Sequence, residues 1–234
     1  LLAASTQADR ALDALPDGAF GCADTGLVQA AYRAITARQG DTAGGLRERA
    51  ALAVPVSGPT ASAPGGSPAP LVLGAKKLSG RERKQALEAL PDRYRQFLSD
   101  VEPILTDLEE GTFLRLASDY QRDKFIEEFW KRRSVDSDGQ RVAFREIYEM
   151  RLQVVKERFR NINTDQGRVF LINGPPDGFR RIDCQNIYNP LEIWYYERLE
   201  SLRMNKVTLL FYQPFGTGDF RLWTPLEGAQ ALLV

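Results

Sequence analysis

The apolar residues of this chain change their spacing once, near Gly167, and that change limits the folds open to it. Before it they recur at helical intervals. After it, β-branched and aromatic runs bounded by Gly, Pro and Asn read as strands. The predicted strands are Arg168 to Asn173, Glu192 to Tyr196, Lys206 to Gln213 and Phe220 to Trp223. Both faces of Glu192–Tyr196 and of Thr208–Tyr212 are bulky, so helices are expected on at least one side of the sheet. Helices first and strands after point to α+β rather than alternating α/β. The short gaps between the later strands favour antiparallel pairing, since parallel strands need long crossovers. The expected fold is α+β: N-terminal helices followed by a mainly antiparallel sheet of about four strands.

Upstream, the helical signals are local and specific. Pro91 suits the first turn of a helix that carries Tyr94, Phe97, Leu98 and Val101 on one face, and Pro103 ends or bends it. Ser118 and Gln121 have the spacing of a capping box. The helix they open carries Tyr120, Phe125, Ile126, Phe129 and Trp130 as its apolar stripe. Asp136-Ser137-Asp138-Gly139 reads as a turn, and a helix from about Gln140 to Arg160 presents Phe144, Ile147, Tyr148, Leu152, Val155 and Phe159.

Three segments follow from this pattern. Residues 1–53 read as a small, weakly helical segment. Residues 54–78 are rich in Pro, Gly, Ser and Ala with little charge, which is the composition of a flexible linker. Residues 79–234 form the α+β domain. Leu1-Leu2-Ala3-Ala4-Ser5 reads either as the tail of a signal peptide or as the start of an ordinary helix.

Composition removes whole classes of chemistry. The chain has no histidine, which excludes a Ser-His-Asp triad, a Cys-His pair and His-ligated metal sites. Lys plus Arg and Asp plus Glu are both 31, so no overall charge draws the chain to nucleic acid or to an anionic membrane. No apolar run approaches the length of a membrane-spanning helix. Cys22 and Cys184 cannot build a four-thiolate zinc site. They form one disulfide if they meet in an exported chain; the default reading is two separate thiols.

Loop motifs are equally restrictive. If Gly139 took the sixth place of a calcium loop, Ser134 would be first and Arg145 twelfth, where a bidentate Glu is required. Asn173-Gly174-Pro175-Pro176-Asp177-Gly178 lacks the Lys and Ser/Thr of a phosphate loop. Gly216-Thr217-Gly218 precedes a strand, whereas a dinucleotide fingerprint opens a helix.

Four separated stretches, in order, resemble the GWxTD domain of bacterial proteins. They are Leu90 to Thr106, Asp123 to Arg133, Asn161 to Asp177 and Glu192 to Tyr196, and the likeness spans about Leu87 to Trp223. The Gly-Trp pair that names the family is replaced here by Asn161-Ile162, leaving Thr164-Asp165. The resemblance implies an exported or envelope-associated protein, in the periplasm or cell envelope, and brings no catalytic residue with it.

The candidate binding residues are Asp165, Arg168, Asp177, Glu192 and Trp194. Asp165 sits in the turn Thr164–Arg168, where it could cap backbone N–H groups or pair with Arg168 or Arg132, with Gly167 available for positive φ. Asp165, Asp177, Asp183 and Glu192 could instead converge at strand ends, as two-carboxylate glycoside chemistry or a hard cation would need. Trp130, Trp194, Trp223, Tyr195, Tyr196, Phe211 and Tyr212 read as core; an exposed subset would mark a contact surface. No cofactor and no metal site is expected. The expected function is a non-catalytic interaction module with a protein partner. The rivals are a carboxylate-dependent hydrolase or carbohydrate-active enzyme, and a structural subunit of a larger assembly.

Overall fold

The structure, a computed structural model, describes residues 12, 22–37, 78–134, 142–159, 161–184 and 186–234. The expected linker up to residue 77, the helical stretch Gly45 to Ala53 and the turn at 136–139 lie outside the described residues. The chain divides into two compact units. One joins Leu1–Ala51 to Gln153–Val234; the other is Leu52–Leu152.

In the unit Leu52–Leu152, helices begin where a side chain can satisfy the backbone donors of a first turn. Ser79 and Glu82 form a reciprocal capping box before α2 (Gly80–Ala89), as do Thr106 and Glu109 before α4 (Asp107–Leu114). Ser118 and Gln121 do the same before α5 (Asp119–Arg133), as the sequence predicts. Between them, α3 (Asp92–Val101) follows Pro91 and gives way to a short 3-10 turn that contains Pro103. Leu90, Tyr94, Leu98 and Phe113 form the buried centre, with Phe97 and Phe125 packed against it. Edge-on ring pairs extend the core: Phe97 meets Phe129 at 5.5 Å and Phe129 meets Trp130 at 5.1 Å. Tyr120 departs from its expected place on the stripe and is 72% exposed. The long helix α6 (Phe144–Arg158) contributes Tyr148 here, whose hydroxyl donates to the Asp100 carbonyl at 2.8 Å.

The other unit is built on a four-stranded antiparallel sheet in the order β1-β2-β3-β4. The strands are β1 (Gly178–Ile182), β2 (Leu191–Leu199), β3 (Met204–Tyr212) and β4 (Arg221–Leu222). The fold class is therefore α+β with helices first. Helix α1 (Thr25–Thr36) precedes the other described helices. Its Val28, Ala31, Tyr32 and Ile35 join Leu191, Leu210, Tyr212 and Trp223 in one apolar cluster, with the Tyr32 and Trp223 rings 5.1 Å apart.

One predicted strand is a helix. Arg168 to Asn173 belongs to α7 (Asp165–Asn173). The Thr164 hydroxyl accepts from the Gly167 amide at 3.0 Å and opens that helix, and Gly174, at φ +85°, closes it. The run Val169–Ile172 is too short and too uniformly apolar for its period to distinguish helix from strand. Gly167 is not the positive-φ hinge expected but a buried helical residue. The first strand is instead Gly178–Ile182, whose Phe179, Arg180 and Arg181 are exposed and so carry no apolar strand signal.

The two cysteines are not separate thiols. Cys22 and Cys184 form a disulfide with Cα atoms 5.6 Å apart, across 162 residues of sequence. Sequence spacing gives no information on whether such distant residues meet, and here the sheet brings the end of β1 to the segment that precedes α1.

Candidate functional site

Strand register decides which of the candidate residues share a face. Arg181, Glu192, Phe211 and Leu222 stand opposite one another on one rung that crosses all four strands. Side chains alternate along a strand, so Glu192, Trp194 and Tyr196 share the face opposite to that of Leu191 and Ile193. Helix α7 lies over the Glu192 face and supplies two polar contacts to this rung. Asp165 accepts a hydrogen bond from the Leu222 amide at 2.7 Å, and Gln166 donates through Nε2 to Glu192 at 2.6 Å.

Each candidate carboxylate is already engaged. Glu192 also accepts from the Trp194 indole N–H at 3.1 Å and lies 3.7 Å from the Arg181 guanidinium. Asp177 accepts from the Glu197 backbone amide at 2.7 Å, which ties the start of β1 to β2. Asp183 pairs with Arg181 at 3.2 Å on the surface. Arg168 donates to the Asn163 side chain at 3.4 Å. Trp194 is 3% exposed and packs on Phe211 at 4.8 Å, so it is core rather than contact surface. The structure brings Asp165 and Glu192 to one rung and leaves Asp177 and Asp183 elsewhere on the strands. Asp165 does serve a backbone N–H, but one on β4 rather than in its own turn. Among the described residues no three Cys, Asp or Glu side chains gather as a metal ion would require.

A cavity of this unit lies elsewhere. It measures about 830 Å³ and sits where β3 ends and the last residues return along the 187–189 segment. Tyr188, Pro190, Tyr212, Pro214, Phe215 and Leu233 supply its apolar lining. Arg221, Asn189 and Gln230 are among its polar lining residues. None of Asp165, Asp177, Asp183, Glu192 or Arg168 lines it.

Its floor is fixed by the fold. Tyr188 and Tyr212 belong to the apolar cluster under α1, and the Tyr212 hydroxyl is held by Glu227 at 3.1 Å. Burial raises the Tyr188 phenol above its ordinary value. The nearby Thr25 hydroxyl, which donates to the Cys22 carbonyl at 3.0 Å, tempers that rise, and the Tyr188 oxygen meets no hydrogen-bond partner among the described residues. Asn189 donates to the carbonyls of Ala231 and Leu233 at 3.2 and 3.1 Å, which holds the returning segment as a wall. A pinned turn forms the rim: the Gln213 amide donates to Pro190 O at 2.9 Å, and the Gln213 side chain to Gly218 O at 2.6 Å.

Sequence reasoning missed this cavity. Its residues come from three short stretches, 188–190, 212–221 and 230–234, none of which carries a motif. The one available signal was Pro214-Phe215-Gly216, a large aromatic placed at a turn position. No family model matches the chain, and no curated protein or solved structure matches it.

Proposed function

We propose that the chain is a non-catalytic interaction module of an exported or envelope-associated bacterial protein, built on a GWxTD-like domain, with another protein as its partner. One observation carries the reading. Asp165, Asp177, Asp183 and Glu192, the carboxylates weighed for two-acid chemistry, are each committed to a backbone amide, an arginine or a side-chain amide, and none of the four lines the cavity. A general acid needs a free proton-transfer path to substrate; these groups instead bind the fold together.

Two further features support the reading. The Cys22–Cys184 disulfide suits an oxidising compartment, where such bonds persist. The order of the motifs from Leu90 to Tyr196 supports the family likeness.

The test uses the whole oxidised chain, since residues 22–37 pack on the sheet and a shortened bait would lose them. Captured envelope proteins are purified and titrated one at a time by calorimetry. Saturable binding of a purified partner supports the module. Turnover of ester or glycan substrates that disappears in Glu192→Gln or Asp165→Asn, with the fold intact, overturns it.

A further inference from the structure

We propose that the cavity at the end of β3 is a binding site for an organic carboxylate with an apolar or aromatic body. The inference concerns a site distinct from the carboxylate rung, and it stands whether or not the chain has a protein partner.

The size and lining fit a whole small ligand. Sites of this kind measure about 300–1,000 Å³ and combine a mostly apolar wall with a few polar groups that orient the ligand. This cavity, at about 830 Å³, has Tyr212, Pro214 and Leu233 against the body of a ligand, above a fully buried Tyr188. Tyr188 and Tyr212 are rigid floor residues, 0% and 6% exposed. A pre-formed floor lowers the ordering cost of binding.

Arg221 sets the charge of the ligand. It lines the cavity and is exposed, and its guanidinium makes no hydrogen bond or ion pair with another described residue. Its neighbour across the strand pair, Tyr212, gives its hydroxyl to Glu227, which also accepts from the Thr224 amide. Asn189, though on the wall, spends its amide on Ala231 and Leu233. One planar guanidinium, with no lysine in the lining, matches a carboxylate in a two-point contact. A phosphate dianion calls for more donors than this wall holds.

A second, independent feature points to the same place. Phe215 is 94% exposed, and its backbone has φ +63°, in the left-handed region that side chains other than glycine rarely adopt. Non-glycine residues held there concentrate at ligand clamps, where the surroundings over-determine the strain. Here the bonds from Gln213 to Pro190 and Gly218 hold the turn and display an aromatic ring at the cavity, left uncovered by the described residues. A ligand body that covers Phe215 accounts for the exposure of its ring.

The test is a calorimetric titration of the whole oxidised chain with two probes, each paired with its neutral counterpart. The first is 4-phenylbutyrate against its methyl ester. The second is a short peptide ending in a free Phe carboxylate against the same peptide amidated. Saturable one-to-one binding of either acid is expected, weakened about tenfold or more in the ester or amide, as loss of a charge-assisted contact implies. Arg221→Met should weaken the acid by a similar factor, and Phe215→Ala by several-fold, with melting curves that show both variants folded. Binding of the free acid alone identifies a small organic acid as the ligand class; binding of the peptide alone identifies a chain terminus. Acid and ester bound equally, an affinity unchanged in folded Arg221→Met, or no heat with either acid up to millimolar concentration overturns the proposal.

Discussion

The Asp165 carboxylate and the Leu222 amide are joined by a 2.7 Å hydrogen bond across 57 residues of sequence. Asp165 opens α7, where a negative charge also complements the helix N-terminus. Leu222 lies in β4, a two-residue edge strand. A strand that short has few rungs of its own, so a helix side chain that takes its amide fixes where the sheet ends. The Thr-Asp pair in this chain is thereby a joint between helix and sheet.

Asp165→Ala should accordingly destabilise the protein by about 1–3 kcal/mol, the cost of leaving a partly buried amide unpaired. Asp165→Asn retains an acceptor oxygen and should cost less. Urea unfolding of the two variants checks the order; equal losses would mean that the charge, not the hydrogen bond, matters.

In the unit Leu52–Leu152, Arg133 and Glu109 form a two-point ion pair at 3.0 and 2.8 Å, with the Arg133 side chain 3% and Glu109 14% exposed. Burial works against ionised Glu109, but the Arg133 hydrogen bonds and the Thr106 amide outweigh it and hold the carboxyl below its ordinary value. A depressed folded value means stability that is present above the unfolded carboxyl range, about pH 4.3, and lost as pH falls through the folded value. Glu109→Gln should cost about 3–5 kcal/mol at pH 7, because it strands a buried guanidinium. The gap between the variant and the wild type should narrow as pH is lowered towards 3. Urea titrations at a series of pH values measure it.

The Cys22–Cys184 bond closes a loop of 162 residues, and long loops lose the most entropy when cross-linked in the unfolded chain. Paired Cys22→Ser and Cys184→Ser substitutions should lower stability by roughly 2–5 kcal/mol. Thermal melts with and without reductant should show the same drop in the wild type and none in the double variant.

Gly167→Ala is an informative exception to helix propensity. Alanine normally favours a helix by about 1 kcal/mol over glycine. A Cβ at Gly167, however, would stand 2.7 Å from the Thr164 hydroxyl oxygen, 2.8 Å from the Asn161 carbonyl and 3.2 Å from Val155. The expected outcome is a net loss of about 1–3 kcal/mol from overpacking, read as a lower denaturant midpoint. A gain would mean that the 161–164 turn yields easily.

What the sequence made legible was local. The Ser118–Gln121 box located α5, and the β-branched and aromatic runs Glu192–Tyr196 and Lys206–Gln213 located the two central strands. Errors came where local pattern and tertiary role part. Val169–Ile172 is apolar on every side because α7 is largely buried, and β1 shows charge because Arg180 and Arg181 face outward to Asp24 and Glu192. The candidate site divided in the same way. That Asp165 would serve a backbone amide follows from its chemistry; that the amide belongs to Leu222 follows only from the fold. Arg221 and Tyr188 were invisible as a pair because only strand register brings the two stretches together.

The sheet's unit is made of the chain's first 51 residues and its residues from 153 onward. During synthesis, α1 therefore emerges early and its partners on β2 and β3 last. The inserted helical unit has all of its own residues long before then and is free to fold first. The Val28–Tyr32–Ile35 stripe has no strand to rest on until the residues from Ile182 onward are made, and Cys22 has no partner until Cys184 follows it. Until then the chain carries a greasy helix on offer, which is the surface a holding chaperone would grip.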